Sequence, residues 1–153
     1  MSFQCALISE KDTPTSYAFF NSKKVKREHI FHVSQLKEFC SSMDRGTTLW
    51  CADVDRFGSV ITFYHFIQFA SKRGIAFRSL ANSYLDFGGS KSLKPSVVDL
   101  ILYLATIENK LVNDIMSIGK NGNRAVVEVY CGALLIDILG QVFASDSILR
   151  RGS

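Results

Sequence analysis

Residues 49–59 constrain the fold of this chain more than any other stretch. An apolar run gives way to the charged pair Asp55 and Arg56, a glycine follows, and an apolar pattern with helical spacing begins at Val60. This order predicts a buried strand that delivers Asp55 and Arg56 to its carboxyl end. Ligands of open α/β sheets bind beyond the carboxyl ends of strands, so the pair is a candidate site. A local ion pair or a helix cap is the plainer interpretation of the same two residues.

Apolar runs and helical patterns alternate along the first two thirds of the chain. Strands are expected at 3–8, 30–33, 49–54 and 75–80, with 84–87 as a short edge piece. Helices are expected at 14–27, at 35–44 with Ser34 as its cap, and at 60–73. Such alternation is typical of parallel sheets. The sequence therefore predicts an α/β fold with a small, mainly parallel four-stranded sheet and helices on both faces.

Pro95 opens the longest helical pattern, which runs to residue 118 and is apolar along one face. This face is longer than a small sheet can cover, so we expect part of it to pack against a second subunit. The protein is then a homo-oligomer; packing wholly within one chain is the alternative. The expected interface residues are Leu100, Leu104, Ile107, Leu111 and Ile115.

A break at 119–123 divides the chain into a domain at 1–118, which includes the long helix at 95–118, and an apolar helical tail at 119–153. Residues 125–144 are nearly long enough to span a bilayer. Glu128 and Asp137 would each cost about 2.5 kcal/mol or more near the membrane centre, so we expect a buried helix and no membrane partner. A strand at 126–130, which is rich in β-branched residues, is the alternative.

The cysteines and histidines indicate neither a metal site nor a bound cofactor. The four cysteines have no zinc-module spacing, and no secretory signal is evident, so we expect reduced cysteines and a cytoplasmic protein. No glycine-rich phosphate loop follows the first strand, which disfavours a nucleotide or flavin site. The formal net charge of +4 is compatible with DNA as a partner without establishing it.

Four segments together resemble the catalytic domain of the serine recombinases, the resolvase/invertase family. They are residues 5–9, residues 53–59, residues 74–80 together with 85–86, and residues 103–109. The resemblance implies a four-stranded α/β domain with a long dimerisation helix, and DNA cleavage through a phosphoserine intermediate. It implies that Ser9 is the nucleophile, Arg56 the clamp on the scissile phosphate and Asp55 the residue that orients Arg56. These three residues are the predicted catalytic site.

The chain also departs from the family pattern. The family has arginines where this chain has Leu7, Ser59 and Asn109, and a Ser-Gly-rich loop with a further arginine after the second strand is missing. Transition-state cations contribute about 3 kcal/mol each, so their loss predicts an impaired enzyme. The tail is also too short and too apolar for the family's helix-turn-helix domain. Two hypotheses follow: a resolvase-like recombinase domain, or a non-catalytic assembly or regulatory module that binds itself or a recombinase-like partner.

Overall fold

The computed structural model describes residues 3–119 and 122–145. Its centre is a four-stranded sheet in the order β2-β1-β3-β4, with every neighbouring pair parallel. The strands are β1 (Gln4–Ile8), β2 (Ile30–His32), β3 (Thr48–Cys51) and β4 (Ala76–Ser79). The predicted α/β fold with a small parallel sheet is confirmed.

Within residues 3–119 and 122–145, five α-helices surround the sheet. They are α1 (Pro14–Ser22), α2 (Leu36–Ser42), α3 (Val60–Arg73), α4 (Pro95–Ile118) and α5 (Arg124–Val142). Single 3-10 turns lie at Arg27–His29, Val33–Gln35, Val54–Phe57 and Ser83–Leu85. The strand considered for 126–130 is wrong, because these residues lie in the first turns of α5.

Three local predictions need correction. The first helix ends at Ser22 and not at residue 27, because Lys24 takes a left-handed conformation with φ of 62° and turns the chain. The side chain of His32, and not that of Ser34, caps the next turn by accepting the Ser34 backbone N–H at 3.1 Å. The segment at 84–87 contains a 3-10 turn, and Phe87 then makes an isolated antiparallel bridge to Phe77.

The hydrophobic core has a large cluster on one face of the sheet and a small cluster on the other, because successive side chains of a strand point to opposite faces. Cys5 and Leu7 of β1 are fully buried in the large cluster that also holds residues of α3, α4 and α5. Ala6 faces the other way, into a small cluster with Phe20 and Val25 beside α1. Helices therefore cover both faces of the sheet, as predicted.

The face of α4 that was predicted to meet a second subunit packs largely within the protomer. Leu104 is buried, and Leu100, Ile107 and Leu111 are partly buried against the main core. Ile115 is partly buried as well. Their role in an interface stays a prediction.

The last helix, α5, packs on α3, on α4 and on the turn at Val54–Phe57. It is the one helix among the described residues whose length and apolar composition would allow it to cross a membrane. One third of its most apolar window is buried inside the protein.

Candidate functional site

The parallel sheet brings the predicted catalytic residues to a common edge. Ser9 follows the carboxyl end of β1, and Asp55 and Arg56 follow that of β3, which is the neighbouring strand. Two parallel neighbours end at the same edge of a sheet, so these segments meet although they lie far apart in sequence. The structure thus places all three residues of the predicted site in one region.

The turn that carries Asp55 and Arg56 is fixed at both ends. Asp53 caps its start, because the Asp53 carboxylate accepts the Asp55 backbone N–H at 2.9 Å. Gly58 ends the turn with φ of 80°, a left-handed conformation that glycine adopts without strain. The turn therefore has little freedom to re-aim Arg56.

Asp12 joins Ser9 to Arg56. A single oxygen, Asp12 Oδ2, accepts the Ser9 backbone N–H at 2.8 Å and the Arg56 Nε–H at 3.0 Å. The Asp12 side chain is fully buried, and its other oxygen, Oδ1, is buried without a hydrogen-bond partner among the residues that the structure describes. Sequence reasoning did not single out Asp12; its spacing of three residues from Ser9 was the available signal.

Asp55 holds the other side of the guanidinium. Its Oδ1 accepts from Arg56 Nη1, and its Oδ2 pairs with Lys11 Nζ at 3.1 Å. The chain of contacts then returns to the predicted nucleophile, because the Lys11 backbone N–H donates to Ser9 Oγ at 3.2 Å. Arg56 is thus bound by two carboxylates of its own chain.

The electrostatics of this edge oppose the binding of an anion. Three carboxylates, those of Asp12, Asp53 and Asp55, lie in the network with two cations, Lys11 and Arg56. Burial by itself lowers the pKa of Arg56, but its bonds with Asp12 and Asp55 outweigh burial and raise that pKa above its ordinary value. Burial raises the pKa of Asp53. Arg56 therefore stays charged, and the carboxylates of Asp12 and Asp55 already neutralise its charge.

The three positions at which the resemblance to the recombinases predicts arginine carry Leu7, Ser59 and Asn109. Leu7 is fully buried in the main core. Ser59 caps α3, since its hydroxyl oxygen accepts the Thr62 backbone N–H at 3.0 Å. Asn109 is exposed on α4, where it lines a cleft of about 540 Å³ between α3, α4 and α5. Leu7 and Ser59 are therefore part of the fold, and none of the three is a cation.

Three other arginines could in principle have replaced the missing ones. Arg27 and Arg45 precede β2 and β3, so they lie toward the amino edge of the sheet, opposite Ser9. Arg78 donates from Nη1 to the carbonyl oxygens of Phe77 and Phe87, both at 2.7 Å, and from Nη2 to that of Gly88 at 3.0 Å. Its guanidinium holds the segment after β4 in place.

Glu108, which lies in one of the segments that resemble the recombinases, has a structural position. It is 3% exposed on α4, and its Oε1 accepts the Val60 backbone N–H at 2.9 Å at the start of α3. Burial raises its pKa, and the N–H groups of Val60 and Ile61 partly offset that effect. The carboxylate meets the positive end of the helix dipole there and fixes α4 to α3.

Asn82 is a buried polar residue that the sequence did not single out. Its Oδ1 accepts the Val54 backbone N–H at 2.8 Å, and its Nδ2 donates to the Gly140 carbonyl at 2.8 Å. It therefore ties the turn that carries Arg56 to α5.

The remaining polar groups do not assemble a metal site. In residues 3–119 and 122–145, no group of three or more His, Cys, Asp or Glu side chains is arranged to hold a metal ion. His32 faces Glu10 at 3.4 Å in an exposed pair.

No protein-family model matches the chain, and no curated protein matches it in a sequence search.

Proposed function

We propose that this chain is a degenerate domain of the serine-recombinase type that does not cut DNA and acts as an assembly or regulatory module. The observation that carries the proposal is the pairing of Arg56 with both Asp12 and Asp55. A phosphate clamp needs guanidinium N–H groups directed at the phosphate and an excess of positive charge. Here the predicted clamp is occupied by carboxylates.

The surroundings of Ser9 support the same conclusion. A serine hydroxyl needs a base or strong positive charge nearby to attack a phosphodiester. Ser9 Oγ accepts the Lys11 backbone N–H, while the Ser9 backbone N–H is bound to the buried Asp12. A DNA phosphate approaching Ser9 would meet Asp12 and Asp55 together with Arg56, and their repulsion raises the barrier to attack.

Assembly is the role that the rest of the molecule favours. Six large apolar side chains of α5 are exposed, and this is an unusual concentration for one helix of a monomeric protein. The partner is a second copy of this chain or a recombinase-like chain. The exposed residues are Val126, Val129, Tyr130, Leu134, Ile138 and Val142.

An active recombinase domain is the second candidate. The observation that favours it is that Ser9 and Arg56 meet on one oxygen of Asp12, so the two predicted catalytic residues are close together. A partner or a DNA site that draws Asp12 away would free Arg56 for a phosphate. The two candidates differ in whether Ser9 ever becomes linked to DNA.

The deciding experiment measures covalent attachment to DNA. The full chain is incubated with supercoiled plasmids that carry a randomised segment, the reaction is stopped with detergent, and protein-linked DNA is quantified. We expect the wild type and Ser9→Ala to give the same background of protein-linked DNA, and a Ser9-dependent adduct would overturn the proposal.

Light scattering on the same purified proteins, without detergent, tests the assembly role. A monomer across the full concentration range, with no partner chain retained, contradicts that role.

A further inference from the structure

The segments that lead into the strands at the amino edge of the sheet concentrate positive charge. Residues 19–29, 39–47 and 70–75 precede β2, β3 and β4, and they meet at one edge because the strands are parallel. They contain seven basic residues and two acidic ones, Glu28 and Asp44. The whole chain has 18 basic and 14 acidic residues, so the rest of it is nearly balanced, with 11 and 12. The seven basic residues form what is called here the basic edge: Lys23, Lys24, Lys26, Arg27, Arg45, Lys72 and Arg73.

The cations of the basic edge are open to solvent and free of carboxylate partners. All seven residues are exposed. In the part of the chain that the structure describes, the salt bridges involve none of them. At the carboxyl edge, in contrast, Lys11, Arg56 and Lys91 each pair with a carboxylate. The positive charge that is available to an anion therefore lies at the edge opposite the predicted catalytic residues.

The basic edge extends across the full width of the sheet. The strand order β2-β1-β3-β4 places residues 23–27 at one side, residues 72–73 at the other and Arg45 between them. Neighbouring strands lie about 4.8 Å apart, so the distance from β2 to β4 is about 14 Å. A cationic surface of this width can contact several successive phosphates of a nucleic acid strand.

Aromatic rings hold two of these cations in place. Lys23 Nζ lies 5.2 Å from the centroid of the Trp50 ring, and Arg73 Cζ lies 5.1 Å from that of the Phe69 ring. Cation–π contacts of this kind restrict the side chain while leaving its charge unneutralised. Less side-chain freedom is then lost when an anion binds.

A pocket of about 420 Å³ adjoins the basic edge beside α1 and β2. Tyr17, which is 44% exposed, supplies an aromatic ring to this pocket, and Asn21 supplies an exposed amide. Val25 and Ile30 are its apolar lining, and Arg27 belongs both to the pocket and to the basic edge. An aromatic ring, an amide and a guanidinium are the groups that stack on a base, bond its polar edge and bind its phosphate.

We infer that the basic edge and this pocket bind single-stranded nucleic acid, with phosphates along the cations and one base against Tyr17. The inference goes beyond the proposed function and does not rest on it, because the surface lies at the opposite edge of the sheet from Ser9 and Arg56.

The pocket favours a single strand over the other polyanions that a basic surface attracts. The bases of a duplex are paired and stacked, so they do not enter a side pocket without being extruded. An anionic bilayer or an acidic peptide would neutralise the cations but would bring no base to the ring of Tyr17 or to the amide of Asn21. A single strand uses the charges and the pocket together.

The test is fluorescence anisotropy of the full chain with a labelled oligothymidylate of about 20 nucleotides, at several salt concentrations. In the variant with Lys24→Gln, Lys26→Gln and Arg27→Gln, three phosphate contacts are lost. Each contact contributes about 0.7 to the slope of log affinity against log salt, so the slope should become shallower by about 2. The dissociation constant should rise roughly hundredfold in about 0.1 M salt.

The matched control removes the same number of charges elsewhere. Lys37, Lys94 and Lys110 are exposed and lie outside the basic edge, so their joint replacement by glutamine should change the affinity much less. Circular dichroism establishes that both triple variants are folded. Equal losses in the two would show that only the net charge matters, and would overturn the inference.

Lys24→Gly tests the same surface with a change that the backbone tolerates. Lys24 has φ of 62°, a conformation that glycine adopts without strain, so this variant loses one cation and keeps the turn. We expect the dissociation constant to rise roughly fivefold in about 0.1 M salt, which corresponds to one phosphate contact. An unchanged salt slope and affinity would exclude Lys24 from the surface.

Tyr17→Ala tests the pocket separately from the charges. Loss of a stacked base should raise the dissociation constant roughly tenfold and leave the salt slope unchanged. Tyr103→Ala is the matched control, because Tyr103 is 62% exposed on α4 and lies outside the pocket. Equal affinities of Tyr17→Ala and Tyr103→Ala would overturn the placement of a base in the pocket.

Three further outcomes overturn the inference. They are no binding of the oligonucleotide, tighter binding of a duplex of the same length, and binding of phosphatidylserine vesicles or polyglutamate in preference to the oligonucleotide. A Ser9-dependent DNA adduct would instead contradict the proposed function and leave the basic edge standing, because Ser9 lies at the other edge of the sheet.

Discussion

Asp12 Oδ2 lies 3.0 Å from Arg56 Nε, and this contact joins residues that are 44 positions apart in the chain. The same oxygen accepts the backbone N–H of Ser9. The predicted nucleophile and the predicted phosphate clamp are therefore held together by a carboxylate. The contact accounts for the proximity of the two residues and also for the loss of an accessible positive charge between them.

Replacing Asp12 tests how much this contact stabilises the fold. Asp12→Ala removes a fully buried carboxylate and leaves the mostly buried Arg56 with Asp55 alone. We expect the free energy of unfolding in urea to fall by about 3 kcal/mol, the size found when one partner of a buried pair is removed. Asp114→Ala, at an exposed position of α4, is the control and should change stability by less than about 0.5 kcal/mol. Equal losses in both variants would contradict a structural role for Asp12.

A second substitution at Asp12 tests whether the carboxylate keeps anions away from Arg56. Asp12→Asn retains an acceptor for the Ser9 backbone N–H but removes one negative charge beside the guanidinium. We expect inorganic phosphate to stabilise this variant against heat more than it stabilises the wild type, because a ligand that binds the folded state raises its stability. Adding Arg56→Gln should abolish the gain. Equal stabilisation of the wild type and Asp12→Asn would show that Arg56 is already open to phosphate.

Asn82 provides a prediction about the link between the Arg56 turn and α5. Asn82→Ala leaves the Val54 N–H and the Gly140 carbonyl without their partner. Each unsatisfied buried group costs about 1–3 kcal/mol, so we expect a loss of about 3 kcal/mol in the free energy of unfolding. Asn109→Ala, exposed on α4, is the matched control. A loss no larger than that of the control would mean that water replaces both bonds.

The sequence predicted the sheet, the long helices and the edge where the site lies, because these features depend on local patterns. Residues 49–59 contain a strand, a turn and a helix start, and each has a signal in the residues themselves. The contact of Asp12 with Ser9 has a local signal in their spacing, but its contact with Arg56 could not be predicted, because Arg56 is brought near only when β1 and β3 pair. Asn82 was missed for the same reason, since it contacts Gly140 across 58 positions.

Glu108 gives a prediction about pH. Burial raises its pKa above the ordinary value of 4.5, so the folded state binds this proton more tightly than the unfolded state does. As pH falls through the raised pKa toward 4.5, the wild type should gain stability relative to Glu108→Gln, whose side chain does not titrate. Urea unfolding of both proteins at a series of pH values measures the difference. A wild type that loses stability relative to the variant over this range would contradict the burial of Glu108.

Gly132→Ala tests whether α5 packs on its own protomer. The substitution should lower the stability of the fold if α5 packs there, and raise it if α5 does not. A Cβ added at Gly132 would lie 2.6 Å from Ser59 Cβ and 2.9 Å from the Gly58 carbonyl oxygen, so Gly132→Ala forces α5 away from the start of α3. We expect a loss of about 1–3 kcal/mol in the free energy of unfolding. In a helix free of this contact, alanine would instead stabilise by up to about 1 kcal/mol, because glycine is the poorer helix former.

Gly140→Ala is the comparison variant for that experiment, because a Cβ added at Gly140 makes a milder steric clash than one added at Gly132. Its added Cβ would lie 3.2 Å from Asp53 Oδ1, a closer approach than is usual but one that a small shift of the Asp53 side chain relieves. We therefore expect Gly140→Ala to cost less than Gly132→Ala in the same urea titration. A stabilised Gly132→Ala would mean that α5 does not pack against the start of α3 in solution. It would also remove the reason for treating the opposite face of α5, with Val126 and Tyr130, as the one open to a second copy.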